Sequence, residues 1–214
     1  MPLDGSLRRQ LCQALGGAAR AATARGLDDA NRLWHRVLTL LGLGLLTSDP
    51  DLDALELACF AFQLPAALNP APPATRLGRT SLNDRAEQAA ELLVSRFGES
   101  VDPNLLDRAT RLLHETPQKT PMTEEARLLA DAVNLDDFGV TGVALQAMQL
   151  AQQGLGATAL RDALAKRDAY GYWDARLNDG FHFQQSRQLA KQRLEQTRLI
   201  ARLLADELSA DEPR

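Results

Sequence analysis

The chain has 214 residues, only two of them cysteine, Cys12 and Cys59. Both lie in apolar helical surroundings with no metal-ligand spacing, so they read as two buried thiols rather than a disulfide framework or a zinc site. That usage suits a reducing cytoplasm. No apolar run is long enough for a membrane span, and the opening MPLDGSLRRQ lacks the basic-then-apolar order of a signal peptide, so a soluble cytoplasmic protein is expected. There is no basic tract either. The formal net charge is -4, with Lys and Arg scattered among acids, which argues against nucleic acid as a partner. Neither a glycine-rich phosphate loop nor a serine nucleophile motif with its histidine is found, and no alternating β-branched run marks a strand.

What is present is helical periodicity. A first helix with Leu7, Leu11 and Leu15 is interrupted by Gly16 and Gly17, and Gly26 is placed to end it. Asp28 or Asp29 caps a stronger helix with Ala30, Trp34, Val37, Leu38, Leu41 and Leu45 on its buried stripe and His35 beside it. Leu52, Leu55, Ala58 or Cys59, and Phe62 continue as a third face, with Pro65 as its stop and a proline-rich loop over 65–80. Helices follow from Ser81 to Phe97 and from Pro103 to His114. Aromatics gather as Tyr170, Tyr172, Trp173, Phe181 and Phe183 around His182, which reads as packing over the core. A long final helix carries Leu189, Leu194, Ile200, Leu203, Leu204 and Leu208. The fold class is all-α: an N-terminal helix over 1–26, one helical domain over 27–208 and a short tail over 209–214.

The stretch from Thr123 to Gly142, TEEARLLADAVNLDDFGVTG, organises this reading. Ala126, Leu129, Ala130 and Val133 share one helix face, and the same period turns Asp136 inward while leaving Asp131 and Asp137 off the stripe. A carboxylate in a last turn opposes the helix dipole, so Asp136 or Asp137 is expected to cap the next helix.

Taken together, NRLWHRVL with His35, the run LELACFAFQL, RLLHETP with His114, and ADAVNLDDFGVTG resemble the His-Asp (HD) superfamily of metal-dependent phosphohydrolases over roughly residues 30–205. That family holds one or two divalent metals with a first His, a His-Asp doublet after an apolar run, and a later Asp in a DADxLDxxG-like run. His35 matches the first His. Phe62 and Gln63 stand at the doublet, His114 is similar to a further family His, and the final run places Asp131 on its first acid and Val133 on its second.

Phenylalanine has no lone pair, and a glutamine carbonyl brings no negative charge, so convergent metal ligands are missing. Taken alone, His35 and His182 are more often hydrogen-bonded structural histidines than ligands. The resemblance therefore implies a non-catalytic HD-like domain with no cofactor, acting by binding a ligand or partner protein. The alternative is a divergent phosphohydrolase acting on a phosphate ester or nucleotide, with a divalent metal on His35, His114 and Asp131. A third reading is a structural subunit that forms a homodimer through its final helix.

Overall fold

The computed structural model describes residues 3–17, 26–68 and 81–210, and among these there are helices and no strands. The chain divides into two compact units, residues 1–130 and 131–214.

The first unit holds α1 (Gly5–Gly17), α2 (Gly26–Leu41), α3 (Leu52–Ala61), α4 (Leu64–Leu68), α5 (Leu82–Phe97), α6 (Pro103–Glu115) and most of α7 (Glu124–Asn134). Its centre is α3, which packs against α2, α5 and α6. Every residue from Ala54 to Ala61 is buried, which explains why all but Glu56 are apolar and do not form a single stripe. Local chemistry starts the helices around it. The Asp51 carboxylate accepts the Ala54 N–H at 3.0 Å and opens α3, Ser81 Oγ accepts the Asp84 N–H at 3.0 Å and opens α5, and Asp102 with Pro103 opens α6. At α7, Thr123 Oγ1 accepts the Ala126 N–H while Glu115, buried at the end of α6, accepts the N–H and hydroxyl of Thr123 at 2.8 and 2.9 Å.

Several boundaries differ from the periodicity reading. Gly26 begins α2 rather than ending α1, and the connection over 18–25 lies outside the described residues. Pro65 does not stop the chain but sits in the first turn of α4, where its missing N–H is harmless; the remainder of the expected loop, 69–80, also lies outside the described residues. On α2 the buried hydrophobic residues are Ala30, Leu33, Trp34, Val37 and Leu40, with Arg36 buried among them and Leu38 turned out. Cys59 is buried as expected and burial pushes its thiol well up, with Glu56 adding to the effect, but Cys12 is only half-buried.

The second unit continues through a 3-10 turn (Leu135–Asp137) into α8 (Gly139–Gln152), α9 (Ala157–Ala169), α10 (Tyr172–Asp179) and the long α11 (Gln184–Ala210). Two glycines allow the tight start of α8. Gly139 has φ 77° and an added Cβ would meet Arg193 Cβ at 3.2 Å, while a Cβ on Gly142 would lie 2.5 Å from the Asp137 carbonyl oxygen. Phe138 packs on Trp173 and Phe181, with ring centroids 5.4 and 5.7 Å away, so that part of the aromatic cluster is core; Tyr170 is exposed instead. On α11 the buried residues are Ser186, Ala190, Leu194 and Thr197, and Leu203 points to solvent against expectation.

Phe62 is 1% exposed at the C-cap of α3. Phe62→Ala should therefore cost about 3 to 5 kcal/mol of stability, the usual range for truncating a buried aromatic, and urea unfolding will read it. A loss under about 1 kcal/mol would mean that the ring fills no tightly packed space.

Candidate functional site

Phe62 and Gln63 both lie inside the first unit, and one side chain from α5 holds them. The Arg85 guanidinium sits over the Phe62 ring, 4.3 Å from its centroid, donates from Nε to the Phe62 carbonyl at 3.2 Å, and donates from a terminal nitrogen to Gln63 Oε1. Gln63 is 3% exposed, so its amide oxygen is engaged with a cation in a shielded place. A permanent positive charge within hydrogen-bonding distance of that oxygen opposes a divalent ion there. Arg85 was not singled out by the sequence, where it lies beside the α5 stripe like any solvated arginine; its bonds to Phe62 and Gln63 form where the end of α3 approaches α5.

The two histidines of the same unit are both exposed. His35 Nδ1 lies 2.7 Å from the Asn31 carbonyl, which can only accept, so that nitrogen carries the proton and is committed to the histidine's own helix. His114 is in the last turn of α6, where its charge, when present, complements the helix dipole.

In the second unit the motif residues form a polar ladder. Asp131, Asn134 and Asp137 are 0, 6 and 7% exposed; the first two are i and i+3 neighbours on α7, and the 3-10 turn that follows, with three residues per turn, brings Asp137 onto the same side. Extrapolating the α-helical period past Asn134 turned Asp136 inward; in the structure Asp136 is half-buried and the inward acids are Asp131 and Asp137. The N-cap position of α8 is Phe138, whose side chain makes no capping hydrogen bond.

Each rung holds another segment. The Asp131 carboxylate accepts the backbone N–H groups of His182 at 2.8 Å and Phe183 at 3.0 Å, just before α11, so it serves that helix as a cap supplied from elsewhere in the chain. Asn134 donates to the Gly180 carbonyl and accepts from Arg176 at 2.6 Å. Asp137 accepts from the Tyr172 hydroxyl at 2.9 Å and from Arg176 at 2.9 and 3.2 Å. The Arg167 guanidinium covers the Tyr172 and Trp173 rings. His182 is half-buried with its main chain engaged by Asp131, and Val133, at the second acid position, is half-buried too.

Of the residues picked out by sequence, His35, Phe62, Gln63 and His114 thus belong to the first unit, and Asp131 and Val133 to the second. Among the described residues no three His, Cys, Asp or Glu side chains gather in a group able to hold a metal ion. No helix among them is long and apolar enough to cross a membrane. No family model, no curated protein and no solved structure matches the chain.

Burial pushes the Asp131 carboxyl up to about 6, and the N–H groups of His182 and Phe183, the Ser186 hydroxyl and Arg187 pull it back only in part. A folded-state value above the unfolded one means that the native form binds the proton more tightly. Stability should then be highest below about pH 4 as far as this group is concerned, and fall by up to about 3 kcal/mol as the pH rises through 6. Glu124, held low chiefly by the Thr47 N–H, acts in the opposite sense, so the informative quantity is a difference. Melting temperatures of the unaltered protein and Asp131→Asn between pH 4 and 7 (about the span of the two carboxyl values) should differ in slope, the unaltered protein losing stability relative to the variant as the pH rises. Identical slopes before and after substitution would refute it.

Proposed function

We propose that this chain is a helical binding module with the layout of an HD phosphohydrolase and without its metal chemistry. The observation that carries this reading is Arg85 on Phe62 and Gln63: the doublet positions are filled by a buried aromatic ring and an amide already bonded to a guanidinium. Asp131 adds support, because both of its oxygens accept backbone N–H groups and so are occupied in holding α11. His35 faces solvent with one ring nitrogen bonded to its own helix. Water activation by a metal needs several donors converging on one open coordination position, and these residues use their donors and acceptors otherwise. The function left to such a scaffold is recognition of a ligand or protein partner through its surface. Its two free thiols suit a reducing compartment, which we take to be the cytoplasm.

Metal analysis of the purified protein tests this directly. The expected outcome is less than about a tenth of an equivalent of Mn, Fe, Ni, Mg or Zn per chain after dialysis against each. Content near one equivalent that disappears in His35→Ala, together with phosphate-ester hydrolysis, would establish the enzymatic alternative.

A further inference from the structure

Glu56 is the one charged residue in the buried run of α3, 2% exposed in the middle of the helix. A carboxylate in such a place is costly unless donors surround it. Among the described residues its hydrogen-bond and ion-pair partners come from α1 and the residues just before it: the Leu3 N–H lies 3.4 Å from Oε2, and Arg8 Nε 3.3 Å from Oε1. Both contacts are poor. The first is near the limit of hydrogen-bonding length, and the buried Oε1 accepts no hydrogen bond in spite of its ion pair. The Arg8 side chain is 45% exposed, with its guanidinium 5.9 Å from the centre of the Phe60 ring. Beyond this pair α1 is a simple amphipathic helix. Leu3, Leu7, Leu11 and Leu15 recur every four residues and are 0 to 4% exposed, while Ser6, Arg9, Gln10 and Gln13 face solvent. The helix rests on α2 and α4, whereas α3 is held by α2, α5 and α6, so the centre of the unit is joined through contacts that α1 does not make.

We propose that α1 is a strap over a helix-binding groove, occupying in its own chain a seat on α2, α4 and Glu56 that takes an amphipathic helix of a partner protein, with leucines four residues apart and an arginine beside one of them. The present occupant shows the chemistry of the seat. Leucines at helical spacing are the anchors by which a helix lies in an apolar groove. Charge narrows the partner further, because a helix without a cation would cover Glu56 and leave its carboxylate buried and unpaired. The strap is also a beatable occupant. An arginine that donates two aligned hydrogen bonds to Glu56 satisfies Oε1, which Arg8 does not. While α1 is seated the groove is closed, and the apparent affinity for the partner falls with the fraction of time it is open. The inference rests on the binding-module reading and gives that module a site and a class of partner.

Native-state hydrogen exchange on the full, unaltered chain reads the strap directly. The amides of Leu7 to Leu15 should exchange at least about a hundredfold faster than those of α3, through a partial opening less sensitive to urea than global unfolding. Binding is read with a labelled peptide of residues 3–17 carrying Cys12→Ser, added to the full chain with Leu11→Ala, which weakens the strap and leaves its seat unaltered. Fluorescence anisotropy should show the peptide held at least about tenfold more tightly than by the unaltered chain, and a peptide with Arg8→Glu held at least about tenfold more weakly. Exchange of α1 only together with α3 at the rate of global unfolding, no binding to the Leu11→Ala chain at about 500 µM peptide, or equal binding of the two peptides would each overturn the proposal. None of these readings depends on metal content, so the strap and the module fail separately.

Discussion

The helix α3, buried from Ala54 to its last residue, sets the terms for the first unit. Its apolar surface is covered on every side, so the free energy of that burial comes with an obligation: any polar group within reach must find a partner away from water. At its start the Asp51 side chain takes an N–H. At its end Arg85 takes the Phe62 carbonyl and the Gln63 amide oxygen. In the middle, the buried Glu56 faces Arg8 at 3.3 Å and the Leu3 N–H at 3.4 Å, which fastens the first residues of the chain to this helix. Breaking such pairs by removing one partner leaves a buried charge or acceptor uncompensated, which is far costlier than the pair is stabilising.

The second unit solves a related problem with a different device. Here the polar groups that need partners are the termini of α10 and α11, and the ladder Asp131, Asn134, Asp137 supplies them. A carboxylate that caps a helix from a distant part of the chain does what a local serine or aspartate does elsewhere, but it also links two segments far apart in sequence. Burial is what makes the link sensitive to pH: the same exclusion of water that strengthens the hydrogen bonds raises the carboxyl toward neutrality.

The chemistry of both units follows from what these residues are already doing. A carboxylate bonded to two main-chain N–H groups and an amide bonded to a guanidinium have little left to offer a cation.

Much of the fold was legible in the amino acids. The all-α class, the long final helix, the helix start at Pro103 and the core face through Ala126, Leu129 and Ala130 all follow from period and end chemistry, which are local properties. The prominence of the stretch from Thr123 to Gly142 was also readable, since acids and glycines clustered beside an apolar stripe are unusual. Which acids face inward was not: the change from α to 3-10 winding at Leu135 shifts Asp136 and Asp137 and leaves no mark in composition, while Asp131, inside α7, is covered by a segment 51 and 52 residues on that no local period reveals. Nor was the role of Arg85, whose partners Phe62 and Gln63 lie 23 and 22 residues away and meet it where the end of α3 packs beside α5. The sequence by itself determined where helices form, because propensity, capping and amphipathic period act over a few residues; only the tertiary structure decided which polar side chains became structural bonds, because that depends on distances between segments that no local pattern encodes.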